Sequence, residues 1–264
     1  MALYFSKGSP VKDFLELKCC TIHAMEIEIA ASKVNRYASI ESGDTLEVVE
    51  RPNGGLSVVL ADGQTTGKGA KTISSMVVRK IISLLAEGIR DGAAARAASD
   101  YLFTERGGKV SACLHILSMD FHSNTIVITR NSPTPVFVIR DEKIEQIDST
   151  SSPIGTSRNI RPTIAEIPLE GGITIILFTD GLLHAGETAG AQMDIRTSLE
   201  SLLEEEDPSA QVVADQLLAQ AVRLDQNRPN DDMSVVVLHV SPRELDSVRR
   251  MNIHLPVPGI YMRK

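Results

Sequence analysis

The stretch Asp44–Thr72, DTLEVVERPNGGLSVVLADGQTTGKGAKT, holds two apolar runs on either side of Arg51-Pro52-Asn53-Gly54-Gly55. Asn-Gly between two β-branched runs is a strong hairpin signal, because both residues accept the left-handed backbone that a tight turn needs. Two registers suit this turn. Pairing Arg51 with Gly55 sets Asp44 directly opposite Asp62, and pairing Arg51 with Leu56 moves it by one residue. Carboxylates facing each other across a ladder destabilise it unless something positive sits between them.

Downstream of the hairpin, a glycine-rich segment with Gly-Lys leads into a helix, which is the layout of a phosphate-binding P-loop. That motif needs four residues between its first glycine and the Gly-Lys, then Ser or Thr after the lysine. Here only Gln64, Thr65 and Thr66 separate Gly63 from Gly67, and Gly69 takes the hydroxyl position. The loop is one residue short and lacks the side chain that holds Mg²⁺, so the chemistry is better sought in the aspartates.

Outward from the hairpin, alternation predicts a first strand over 26–32. A helix is expected over 70–86, and a second from Asp91, as its cap, to Thr104. Strands over 109–119, 125–130, 136–140 and 143–147 read as a meander, followed by strands near Ile164 and over 173–179. Helices over 193–204 and 209–224 and a strand over 234–240 complete the pattern. Strands and helices come in blocks rather than in β-α-β alternation. The fold class expected is therefore α+β, with two packed, mainly antiparallel sheets as a β-sandwich and helix pairs outside it, in four αββα layers. One domain over 26–241 would follow a lead segment, 1–25, and precede a tail, 242–264.

Composition narrows the function. The chain has 264 residues, 42% hydrophobic and 23% charged, with a net charge of −7, which argues against a nucleic-acid surface. Three cysteines, two of them adjacent at Cys19 and Cys20, give neither a disulfide framework nor a zinc spacing, and suit a reducing, cytoplasmic compartment. The N-terminus has no apolar signal core, and runs such as ITIILF are too short to cross a bilayer, so no membrane role is expected.

Acids sit at the boundaries of the strongest strands. VVLADG ends at Asp62-Gly63, IILFTDG ends at Asp180-Gly181, NDDMSVVVL begins at Asp231-Asp232, and Asp44 opens a fourth strand. Any one of them alone reads as a turn residue, since Asp-Gly is a favoured turn pair. Together, with the last strand antiparallel to the others, Asp62, Asp180 and Asp231 would reach the same edge of one sheet. Such a cluster repels itself unless cations compensate it, and oxygen donors without His or Cys suit Mg²⁺ or Mn²⁺. His184, nearest in sequence, reads as a bystander.

Asp44 in SGD, Asp62-Gly63 in ADG, Asp180-Gly181 in TDG and Asp231 in NDDMSVVVL resemble the motifs of the metal-dependent PPM-type serine/threonine protein phosphatases, in their bacterial SpoIIE-like branch. RNSPTPVFVIRD, residues 130 to 141, resembles that branch's Asn-Ala-Gly-His-Pro-Pro strand pair, and the resemblance covers roughly 26–241. It implies two Mn²⁺ or Mg²⁺ ions. Asp62 would bridge both, the Gly63 carbonyl and Asp44 would serve the first, and Asp180 and Asp231 the second. Asp232 would lie in an outer layer or cap the turn before the last strand, with Thr179 and Ser234 as outer hydroxyls. Asp62 and Asp44 would carry the catalysis through a metal-bridging hydroxide that attacks phosphoserine or phosphothreonine. Three positions depart from the pattern. The loop after Asp62 is longer than usual, Gln64 stands where some relatives have a histidine, and their phosphate-binding arginine has no counterpart near the N-terminus, leaving Lys68 or Lys71 as substitutes.

The partner implied is a phosphorylated regulatory protein such as a STAS-type anti-sigma-factor antagonist, with dimerisation as one route of control. The helix pair over 70–104 is expected to regulate activity. The alternative function is a catalytically silent, phosphatase-like module that binds a phosphoprotein.

Overall fold

The computed structural model describes residues 25–65, 67–141, 143–204, 208–242 and 248–256. Among the described residues, ten strands form two five-stranded antiparallel sheets. The first sheet holds β1 (Met25–Val34), β6 (Val136–Arg140), β7 (Lys143–Ile147), β9 (Ile173–Phe178) and β10 (Met233–Pro242), in the order β1-β10-β9-β6-β7. The second holds β2 (Asp44–Glu50), β3 (Leu56–Gly63), β4 (Ala112–Asp120), β5 (Thr125–Asn131) and β8 (Thr163–Pro168), in the order β2-β3-β4-β5-β8. Five helices accompany them: α1 (Lys68–Ala86), α2 (Asp91–Arg106), α3 (Asp180–Leu183), α4 (Ile195–Leu203) and α5 (Ala210–Leu224).

The central strands are apolar on both faces because both faces are covered. In β3, Val58 and Leu60 pack between the sheets against Leu117, Ile175 and Val236. Val59 and Ala61 point the other way, against Val77 and Ile81 of α1 and Ala98 of α2. The first sheet repeats this arrangement: Ile176, Val235 and Val237 face Val213 and Leu217 of α5 and Leu199 of α4. The expected four-layer sandwich is therefore present. Of the lead segment only residue 25 is described, and the described part of the tail, 248–256, has no regular structure.

Two local expectations need correction. Residues 109–147 are not a continuous meander, because β5 pairs with β4 and β8 while β6 pairs with β7 and β9 in the opposite sheet. The chain crosses between sheets at Ser132-Pro133-Thr134-Pro135, where two prolines withhold the N–H groups a ladder needs. Nor does Asp91 cap α2. Arg90 holds the cap position without a side-chain bond, and Asp91, as the first helical residue, is buried against the Arg51 guanidinium. Arg51 also donates to the Ile89 carbonyl at 3.0 Å, so the ion pair fixes the start of α2 to the end of β2.

The crossing is secured by buried polar groups. Arg130, only 1% exposed, donates to the Thr134 carbonyl at 2.7 Å and to the Ser149 carbonyl. The Thr134 hydroxyl lies 3.1 Å from His115 Nε2 on β4. Burial, with the Arg130 charge nearby, pushes the His115 pKa down to about 3. The unfolded chain would bind a proton at His115 below about pH 6.5 that the folded chain refuses, so stability falls as pH drops from there toward 3. In urea titrations at pH 6.5, 5.5 and 4.5, His115→Asn should have the shallower acid slope, by up to about 1.4 kcal/mol per pH unit.

Candidate metal and phosphate site

The hairpin resolves to the register that confronts the two acids. The Arg51 amide donates to the Gly55 carbonyl at 2.8 Å, and Asp44 pairs directly with Asp62. Asp44 is completely buried. Its Oδ2 accepts hydrogen bonds from Thr179 Oγ1 at 3.0 Å and Ser234 Oγ at 2.6 Å, while its Oδ1 meets no such donor among the described residues and the Asp62 carboxyl is its neighbour across the ladder. Thr179 follows β9 and Ser234 lies on β10, and the two are joined by Thr179 N to Ser234 O at 3.1 Å and Ser234 N to Thr179 Oγ1 at 3.0 Å. Two hydroxyls of the first sheet thus clasp one carboxylate of the second.

This corrects the expectation of a single sheet edge. Asp44 and Asp62 come from the second sheet, whereas Asp180 and Asp231 flank β9 and β10 of the first. The acids meet across the sandwich, at one of its ends. Neither Asp-Gly pair forms a left-handed turn. A Cβ on Gly63 would stand 2.2 Å from the Ala70 carbonyl oxygen of α1, and one on Gly181 would stand 2.2 Å from the Asp232 carbonyl oxygen. Glycine is required at both positions because neighbouring backbone lies against them, which brings α1 and the start of β10 close to the acids.

Burial first, and like charge after it, sets the electrostatics. Burial, then the charges of Asp44, Asp180 and Asp231, pushes the Asp62 pKa up to about 9. Burial raises Asp44 to about 6, despite the hydrogen bond from Ser234 and the nearby Lys33. Asp231 is also raised, by burial first, and one of its oxygens accepts the Asp232 amide at 2.9 Å. Two lysines lie close by but spend their ammonium groups on backbone and hydroxyl oxygen. Lys33 Nζ donates to the Asp44 carbonyl at 2.6 Å, and Lys71 Nζ donates to the same carbonyl at 3.0 Å and to Thr45 Oγ1 at 2.9 Å. Lys71 is therefore not the loose phosphate ligand that the sequence suggested, whereas Lys68 is exposed at the first position of α1. Lys33 escaped the sequence reading because it occupies a polar slot in an alternating strand.

The remaining sequence candidates have other partners. Asp232 Oδ1 accepts the Arg36 amide at 2.9 Å and its Oδ2 accepts the Gly43 amide at 2.7 Å, so it fixes the loop before β2. Gln64 is tied to Ser111 through its amide and its side chain. His184 pairs with Glu187 at 2.7 Å. Cys113 lies opposite Asp62 on β4, where burial and then the Asp62 charge push its thiol up to about 12, which disqualifies it as a nucleophile.

Hard-oxygen donors, a buried Asp44 Oδ1 without a donor among the described residues and an excess of negative charge fit divalent cations of the Mg²⁺ or Mn²⁺ class. Among the described residues, no three Asp, Glu, His or Cys side chains already stand in metal-holding geometry. The backbone therefore gathers the acids without closing their side chains into a cage.

Comparison with known proteins agrees with this architecture. The profile of the stage II sporulation protein E (SpoIIE) family matches residues 52–241. Stage II sporulation protein E of Bacillus subtilis strain 168 is 20% identical over 239 residues, covering 90% of this chain but only 28% of that protein. Among solved structures, the PP2C phosphatase domain of Bacillus subtilis SpoIIE with a fragment of its regulatory domain superposes with a TM-score of 0.72 at 18% identity, covering 84% of this chain and 65% of that one. The catalytic domain of the serine/threonine phosphatase PstP, in complex with two manganese ions, gives 0.63 at 19% identity, covering 83% and 100%. With the family profile matched across most of the sandwich and the PP2C phosphatase fold reproduced, the chain belongs to the SpoIIE family.

Proposed function

We propose that the chain is a Mn²⁺- or Mg²⁺-dependent serine/threonine protein phosphatase acting on a phosphorylated regulatory protein. The observation that carries this reading is the convergence of four strand-boundary acids from two sheets, with a buried Asp44 oxygen left unpartnered. The family match and the manganese-bound PstP relative support it. Asp62 and the Gly63 carbonyl would hold the ions with Asp44 on one side, and with Asp180 and Asp231 on the other. When bound, such ions lower the pKa of a shared water and neutralise charge on the phosphoryl group. Thr179 and Ser234 would orient Asp44 by occupying its Oδ2, which directs the free Oδ1 toward the ions. Lys33 and Lys71 would fix the backbone of the same residue. The substrate class best suited, from the resemblance to stress-response phosphatases, is a STAS-type anti-sigma-factor antagonist carrying phosphoserine or phosphothreonine.

Mn²⁺-dependent hydrolysis of p-nitrophenyl phosphate is the direct test. Asp62→Asn should lower kcat at least about a hundredfold, because the ions lose their shared ligand. Inactivity of the wild type under the same conditions would assign the chain to a silent phosphoprotein-binding module instead.

A second expectation concerns the metal-free protein. Acids whose folded pKa lies above the unfolded value stabilise the fold below about pH 4, and that contribution is lost as pH rises through their folded pKa values, toward about 6 for Asp44 and about 9 for Asp62. In EDTA at pH 8, Asp62→Asn should therefore be more stable than wild type by about 1–3 kcal/mol in urea unfolding. Added Mn²⁺ should stabilise the wild type more than the variant.

A further inference from the structure

Beside the acids, residues 35–43 form a hook between β1 and β2. The hook, Gly67 and the Asp231-Asp232 pair enclose a cavity of about 240 Å³. Its shape is fixed from several sides. The Arg36 and Gly43 amides share the two oxygens of Asp232, the Tyr37 amide donates to the Pro229 carbonyl at 2.8 Å, and the Ser39 amide to the Arg36 carbonyl at 3.0 Å. Ala38 sits at a φ of 63°, a left-handed conformation that a non-glycine residue keeps only when its surroundings impose it.

The outer surface of this hook carries exposed side chains. Tyr37 is 58% exposed and Ile40 is 95% exposed. The Arg228 guanidinium lies 5.4 Å from the centre of the Tyr37 ring. The Arg36 guanidinium makes no hydrogen bond or ion pair among the described residues and acts on Asp231 only through its charge, whereas Lys33 and Lys71 are committed to the Asp44 carbonyl. In a chain of net charge −7, two arginines and two exposed apolar side chains at the rim of an acidic site, against the single exposed acid Glu41 of the hook, form a local surface of net opposite character.

We propose that the hook docks the polypeptide flanking the phosphorylated residue and selects segments with acidic side chains beside the phosphoserine or phosphothreonine. Arg36 and Arg228 pair with the flanking carboxylates, and Tyr37 and Ile40 cover an apolar neighbour. The inference rests on the phosphatase reading of the adjoining acids and adds to it a preference among phosphoproteins. Guanidinium groups suit this task because their planar donors match carboxylates in a bidentate fork.

The test uses two synthetic phosphoserine peptides, one flanked by glutamates and one by lysines, with Mn²⁺ and the full chain. Wild type should favour the glutamate peptide about tenfold in kcat/KM, chiefly through KM, and the margin should shrink in 0.5 M NaCl. Double substitution, Arg36→Ala with Arg228→Ala, should bring the ratio of the two peptides close to one. Persistence of the ratio in the double variant overturns the inference, as does an equal loss on both peptides, which is what a damaged metal centre would give. If wild type hydrolyses p-nitrophenyl phosphate but treats the peptides alike, the phosphatase reading stands and the hook assignment falls. If it hydrolyses none of these, the phosphatase reading falls. Fluorescence anisotropy of the same peptides then decides the hook: tighter binding of the glutamate peptide, lost in the double variant, sustains the inference, and equal binding overturns it.

Discussion

A completely buried carboxylate that belongs to one sheet and is clasped by two hydroxyls of the other is the contact on which this architecture turns. Burying Asp44 is costly unless its oxygens find donors. Thr179 and Ser234 supply donors to one oxygen only, so the fold satisfies half of the group and leaves the other half open. The same contact aligns β9 and β10 with β2, and this brings Asp180 and Asp231 to face Asp62 across the sandwich. One side chain thus joins the two sheets and keeps an oxygen facing the other acids.

Around that contact the positive charges are placed with restraint. Ion pairing of Lys33 or Lys71 with the carboxylates would quench the cluster and occupy its coordinating oxygens. Both instead engage the Asp44 carbonyl, where they steady the backbone while the acids remain mutually repulsive. Asp232 illustrates the complementary choice. Next to Asp231 in sequence, it is consumed by the Arg36 and Gly43 amides and so serves the loop. Adjacent residues of one type acquire different work because each points to a different neighbour.

Much of this was legible in the sequence, and what was hidden has physical causes. Period-two and continuous apolar runs, with Asn53-Gly54 between two of them, pointed to the sandwich and narrowed the hairpin to two registers, one of which confronts Asp44 with Asp62, because hairpin register is local. Assignment of strands to sheets is not local. Nothing in 130–141 says that β5 and β6 part company, although Pro133 and Pro135 hint at it in retrospect. For that reason the acids were expected on one edge rather than across two sheets. Asp91 looked like a cap, since capping is inferred from neighbours along the chain, whereas its partner Arg51 lies forty positions earlier. Asp-Gly taken alone suggests a turn, but the glycines at 63 and 181 accommodate the carbonyls of Ala70 and Asp232. The hook at 35–43 carried no recognisable motif, and its relation to the acids depends on Asp232, which arrives from the far end of the domain.

Strand order adds a temporal dimension. The strand placed between β1 and β9 is β10, so the middle of the first sheet is contributed by the part of the domain that leaves the ribosome last. Until it emerges, β1 has no ladder partner, Asp44 lacks the Ser234 hydroxyl, and Asp231 is absent from the cluster. A nascent chain ending before residue 231 holds every residue of the β2–β5 ladder and its helix pair but lacks both Asp231 and Ser234. The constellation of acids is therefore complete only once the last strand of the domain has been made.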